Sequence, residues 1–66
     1  MKYNVILIKG EKEVLNFWVP SFCSAYNSVI NHVGESRKNR AKIYDLLTGE
    51  MKHYFFVGSK LNISVI

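Results

Sequence analysis

Five segments of this chain have strand character and only one has the pattern of a helix, and that ratio limits what the chain can become. A single short helix covers one face of a sheet. The second face must then meet solvent, another copy or a partner. The segment Phe22–Val33 places Phe22, Ala25, Tyr26, Val29, Ile30 and Val33 at three- and four-residue steps, the stripe of a helix lying on a core. Ser24, Asn27, Ser28, Asn31 and His32 fall on its wet side. Ser21 is placed to cap the first turn and Gly34 to end the last.

On either side the periodicity changes to two. Lys2–Ile8 is rich in Val and Ile, and Glu13–Val19 alternates Leu15, Phe17 and Val19 against Val14, Asn16 and Trp18. The short polar turn Lys9–Lys12 joins them as a hairpin, and Pro20 closes the second strand because it has no N–H for a ladder. Ala41–Leu47 and Met51–Val57 flank Thr48-Gly49-Glu50, and Leu61–Ile66 follows a turn at Gly58-Ser59-Lys60. The expected fold class is α+β: one domain spanning residues 1–66, a small antiparallel β-sheet of four or five strands in the chain order ββαβββ, with one α-helix packed on one face.

Length and composition narrow the rest. At 66 residues the chain has room for one domain, which buries only about 60% of its unfolded surface. Apolar residues make up 48%, enough for a compact core and too many for wholesale disorder. The longest apolar runs, Val5–Ile8 and Tyr54–Val57, fall far short of the roughly 20 residues that span a membrane. The N-terminal residues read straight into a strand with no leader pattern, and the single Cys23 rules out an intrachain disulfide. These features lead to the expectation of a cytoplasmic protein. Six Asn, seven Lys and six Ile against two Ala is the usage of AT-rich genomes, those of bacteriophages among them.

A three-residue turn that sets Leu47 opposite Met51 assigns the faces. Ala41, Ile43, Asp45, Leu47, Met51, His53, Phe55 and Val57 then lie under the helix with Leu15, Phe17, Val19, Leu61, Ile63 and Val65. The open face receives Val14, Asn16, Trp18, Lys42, Tyr44, Lys52, Tyr54, Phe56, Asn62 and Ser64. The first strand fits either way round. Such an open face has two functional readings. Trp18, Tyr44, Tyr54 and Phe56 can anchor a protein interface, in which aromatic residues are enriched and lysines such as Lys42 and Lys52 sit at the rim. The same rings can stack on unpaired bases while lysines meet phosphates. The plain alternative is that they are cross-strand pairs on a wet sheet face. The net charge of +4 and the basic segment Arg37, Lys38, Arg40 and Lys42 favour an anionic surface, or are simply a solvated loop.

Catalytic signals are weak. Cys23 at a helix start could act as a nucleophile, but a lone cysteine beside an amphipathic stripe is more often a small core residue. His53 opposite Asp45 could orient an imidazole, or be a buried polar pair. Two histidines and one cysteine match no usual zinc spacing, and the scattered glycines form no phosphate loop. The leading expectation is a non-catalytic protein without metal or cofactor. It docks on a macromolecular partner, a protein or a second copy, through the open sheet face, and modulates or inhibits that partner. The second expectation is a module for single-stranded nucleic acid or RNA.

Overall fold

The computed structural model describes residues 2–66 and has the expected α+β architecture. In chain order the elements are β1 (Tyr3–Lys9), β2 (Lys12–Val19), α1 (Phe22–Glu35), β3 (Asn39–Asp45), β4 (Met51–Val57) and β5 (Lys60–Val65). The strands form one sheet in the order β2-β1-β3-β4-β5, and every neighbouring pair is antiparallel. The helix carries the chain from the edge strand β2 across β1 into the central strand β3. No helix is long and apolar enough to cross a membrane among the described residues.

Two of the three hairpin connections are two-residue turns led by glycine. Gly10 and Gly58 have φ of 62° and 64°, and the residues after them have negative φ. Glycine at the first central position is the requirement of a type II′ turn, whose twist matches that of the flanking strands.

The third connection departs from the sequence expectation. Pairing of β3 with β4 ends at Tyr44↔Met51, and the Asp45 amide donates to the Glu50 carbonyl at 2.8 Å. Between them, the Asp45 carboxylate accepts from the amides of Leu47 and Thr48 at 2.9 and 3.4 Å, and the Asp45 carbonyl accepts from Gly49 at 2.8 Å. Aspartate captures downstream amides in this way and starts a turn at its own position. Leu46 and Leu47 are therefore loop residues rather than strand residues, and Leu47 is 84% exposed. The register differs by an odd number of residues from the expected one, so every side chain of β4 changes face. Tyr54, Phe56 and Lys52 lie on the helix side. Met51, His53, Phe55 and Val57 lie on the open side.

The core sits between α1 and the middle of the sheet. Val5 and Leu7 of β1, Ala41 and Ile43 of β3 and Tyr54 of β4 meet Ala25, Val29 and Val33 of the helix. This settles β1, whose odd residues face the helix. Ala25 and Ala41 are fully buried, and their small side chains let the helix axis approach β3. An aromatic relay, Tyr3–Phe22–Tyr26–Tyr54, with ring centroids 5.8, 5.9 and 6.2 Å apart, binds the first turns of α1 to the sheet.

The ends of α1 show one expectation met and one corrected. Ser21 caps the start, its hydroxyl accepting from the Ser24 amide at 3.2 Å. Gly34 does not end the helix, which runs to Glu35 before an extended Ser36. The buried Asn39 side chain donates to the His32 carbonyl at 2.7 Å, so a terminal carbonyl is satisfied without a left-handed glycine. His32 is not on the wet side either: it is buried, and its Nε2–H donates to the Ile8 carbonyl at 2.9 Å, tying helix to sheet.

Tyr54, only 1% exposed, and Phe55, half-buried on the opposite face, test this register. Tyr54→Ala is expected to destabilise the fold by about 3–5 kcal/mol and Phe55→Ala by clearly less, as measured by urea unfolding. Equal losses would contradict the assignment of faces.

Candidate interaction face

The side of the sheet away from α1 carries no covering element among the described residues. Its side chains form cross-strand rows that follow from the pairing registers. One row runs Trp18, Asn4, Tyr44, Met51. The next runs Asn16, Ile6, Lys42, His53, Ser64. The third runs Ile8, Arg40, Phe55, Asn62. Of the residues singled out from sequence, Trp18, Tyr44, Arg40 and Lys42 are brought together here. Trp18 is 43% exposed at the β2 edge. Tyr54 and Phe56 belong to the helix-side core and Lys52 stands on that same side, 3.6 Å from Glu50 in an exposed pair of little energetic weight. Arg37 and Lys38 are exposed in the loop between α1 and β3, beside the β1–β2 turn, where the Lys38 carbonyl accepts from the Gly10 amide. They stand at one end of the face and not within it.

Met51, His53, Phe55 and Val57 are open-face residues that sequence reasoning placed under the helix. The signal that would have located them is Asp45. An aspartate followed four residues later by glycine marks a wider loop than Thr48-Gly49-Glu50 alone implies.

Polar contacts hold parts of the face rigid. Asn4 donates from Nδ2 to Asn16 Oδ1 at 2.6 Å and to the Phe17 carbonyl at 3.2 Å, and Asn16 donates to Glu13 at 3.1 Å. This chain fixes the backbone that presents Trp18. The Arg40 guanidinium donates to the Gly10 carbonyl at 2.7 Å and so braces the β1–β2 turn. Engaged in this way, Arg40 is less available as a phosphate contact than its charge implies.

His53 stacks at a tilt on Phe55, with centroids 5.1 Å apart, and sits opposite Lys42. Burial holds its pKa below the ordinary value of 6.5, and the nearby charges of Arg40 and Lys42 push the same way. Both effects favour the neutral imidazole, and its buried Nε2 has no hydrogen-bond partner among the described residues. On the helix side, burial raises the Tyr54 phenol above its ordinary value of 10.0, helped by Tyr26 and Glu50.

The arrangement does not assemble the catalytic groupings weighed from sequence. Cys23 is exposed in the first turn of α1. His32 lies nine residues further on, about 13 Å along the axis, and His53 is across the sheet. Asp45 and His53 occupy opposite faces, so they do not pair. No three His, Cys, Asp or Glu side chains converge among the described residues.

Comparison with protein-family models, with curated proteins and with solved structures returned no match for this chain.

Because the folded chain resists protonation of His53, the stability it contributes is complete above pH 6.5 and is lost as pH falls through 6.5 toward the lower folded value. The ring-proton NMR titration of His53 is expected to have its midpoint below 6.5, and Lys42→Gln is expected to move it upward. A midpoint at or above 6.5 in the native protein would contradict this electrostatic description.

Proposed function

We propose that this chain is a non-catalytic binding protein whose open sheet face docks on a protein partner and modulates or inhibits it. The observation that carries this reading is the makeup of the face. Trp18, Tyr44, Met51 and Phe55 surround Arg40 and Lys42, and the opposite side of the sheet already holds the core. Aromatic residues, Met and Arg are the types enriched where proteins meet. Trp18, Tyr44 and Phe55 are the anchors in this reading. Lys60 stands at the rim, Lys42 is a cation within the patch, and Arg37 and Lys38 steer an acidic partner toward one end. A neutral His53 places an uncharged polar atom near the centre of the patch, where a charged one would have to be desolvated. The exposed, unpaired Cys23 agrees with a reducing compartment, and the site of action we propose is the cytoplasm. A small accessory protein of the kind that AT-rich bacteriophage genomes encode fits the composition.

The same rings with Lys42 and Lys60 also support a second reading, stacking on single-stranded nucleic acid. Two observations weigh against it. Arg40 is committed to Gly10, and Lys52 is on the other side of the sheet.

Both readings are tested with the native chain, whose only tryptophan, Trp18, lies on the face and reports occupancy by its emission. Capture from nuclease-treated source lysate is expected to retain a protein. Trp18→Ala and Phe55→Ala are each expected to weaken its binding about 30-fold, as for an anchor contributing about 2 kcal/mol. Retention that survives both substitutions would reject the face. Titration with labelled oligo(dT) and oligo(U) is expected to give only weak binding. Tight binding with a steep dependence on salt would replace the protein reading with the nucleic-acid one.

A further inference from the structure

The two edges of the sheet are built differently. The β2 edge is guarded. Its register against β1 shifts at Leu7/Ile8 so that Val14 is an extra residue, and it carries Lys12 and Glu13 and ends at Pro20. Bulges, charges and proline are the usual means by which an edge strand avoids pairing. The β5 edge has none of these after Lys60. Its sequence, Leu61-Asn62-Ile63-Ser64-Val65-Ile66, is uncharged and alternates aliphatic with small polar side chains.

The aliphatic row of β5 is also uncovered beyond Leu61, which is partly buried against the edge of the core. Leu61, Ile63 and Val65 point to the helix side, but α1 lies over β3 and β1 and does not reach β5. Ile63 is 51% exposed and Val65 62%. The main chain of the same residues is free. The Ile66 amide donates to Met51 at 2.9 Å, so the ladder to β4 engages Ser64, Asn62 and Lys60 in alternation. The N–H and C=O groups of Leu61, Ile63 and Val65 therefore point away from the sheet.

We propose that β5 pairs antiparallel with β5 of a second copy of this chain, about a two-fold axis at Ile63. The strand is its own complement in that register. Ile63 faces the partner's Ile63, Leu61 faces the partner's Val65, and Asn62 faces the partner's Ser64. The residues opposite one another are the ones with free main-chain groups, so each of these aliphatic pairs exchanges both hydrogen bonds. Lys60, the only charge on the strand, faces the partner's Ile66. The two Lys60 side chains stand about 20 Å apart, beyond the screening length of about 8 Å at physiological salt. A two-fold about Leu61 or Val65 pairs fewer residues. Pairing about Ile63 makes one continuous sheet with both helices on one side and doubles the open face on the other. It uses none of the docking anchors Trp18, Tyr44 and Phe55 and shares with that face only Lys60, at the end of the strand, so each proposal can fail without the other.

The test is sedimentation of the full chain from about 1 μM to about 1 mM, a range that brackets a small interface. The native protein is expected to sediment as a reversible dimer. Ile63→Lys and Ile63→Glu each place like charges against each other at the axis and are expected to raise the dissociation constant at least 30-fold, about 2 kcal/mol. An equimolar mixture of the two is expected to recover native affinity within about threefold, because Lys then faces Glu. A native chain that stays monomeric to about 1 mM overturns the proposal, as does dimerisation untouched by either substitution or a mixture that stays monomeric. Circular dichroism and Trp18 emission establish that the variants are folded. Should they unfold, hydrogen exchange on the native chain decides. Protection of the Leu61, Ile63 and Val65 amides that rises with protein concentration supports the pairing, and free-edge exchange at every concentration rejects it.

Discussion

A single 14-residue helix cannot cover five strands, and most of what distinguishes this protein follows from that shortfall. The helix is about 21 Å long and about 10 Å wide, whereas the strands span about 19 Å across the sheet. Lying over β3 and β1, it shelters Val5, Leu7, Ala41, Ile43 and Tyr54 and little else. The core is therefore central and small. Among the described residues no element covers the far face of the sheet, and on the near face β5 is open at Ile63 and Val65.

The two exposed regions differ in chemistry. The far face mixes rings, cations and amides, and its polar groups are partly tied down: Asn4 to Asn16, Arg40 to Gly10. It is a preorganised surface, which lowers the entropy lost when something binds. The strip on β5 is aliphatic, repetitive and accompanied by free main-chain groups. A surface of the first kind selects a partner by shape and charge. A strand edge of the second kind accepts another strand, and its own sequence is a ready complement.

Buried polar residues set how the layers meet. His32 and Asn39 are sealed between the end of α1 and the sheet, where the His32 ring reaches the Ile8 carbonyl and the Asn39 side chain satisfies the last turn. Each bond orients the helix in a way that aliphatic packing does not, because a misaligned helix would leave these groups unpaired in the interior. This explains why a residue read as solvent-facing and a glycine read as a stop both behave otherwise. The bonds responsible join His32 to Ile8, 24 positions away, and Asn39 to the His32 carbonyl, 7 positions away.

Local chemistry alone determined the elements. Val, Ile and aromatic alternation made the strands, Ser21 and the Ala25–Val29–Val33 stripe made the helix, and Gly10 and Gly58 made two hairpins, because each of these depends on residues a few positions apart. Trp18, Tyr44 and Lys42 were legible as open-face residues for the same reason, whereas Arg40, read as part of a basic loop, belongs to β3 and stands on that face. Which side β4 shows was not legible from its alternation, since Met51–Val57 is apolar on both faces and either register is sterically sound. A local carboxylate outside that alternation set the register: Asp45 draws in the amides of Leu47 and Thr48 and widens the loop, and tertiary packing under α1 then holds Tyr54 inward and leaves Phe55 outward. Strand order was decided in three dimensions too. It places β5 beyond the reach of the helix, and only there does an ordinary alternating strand become an exposed edge.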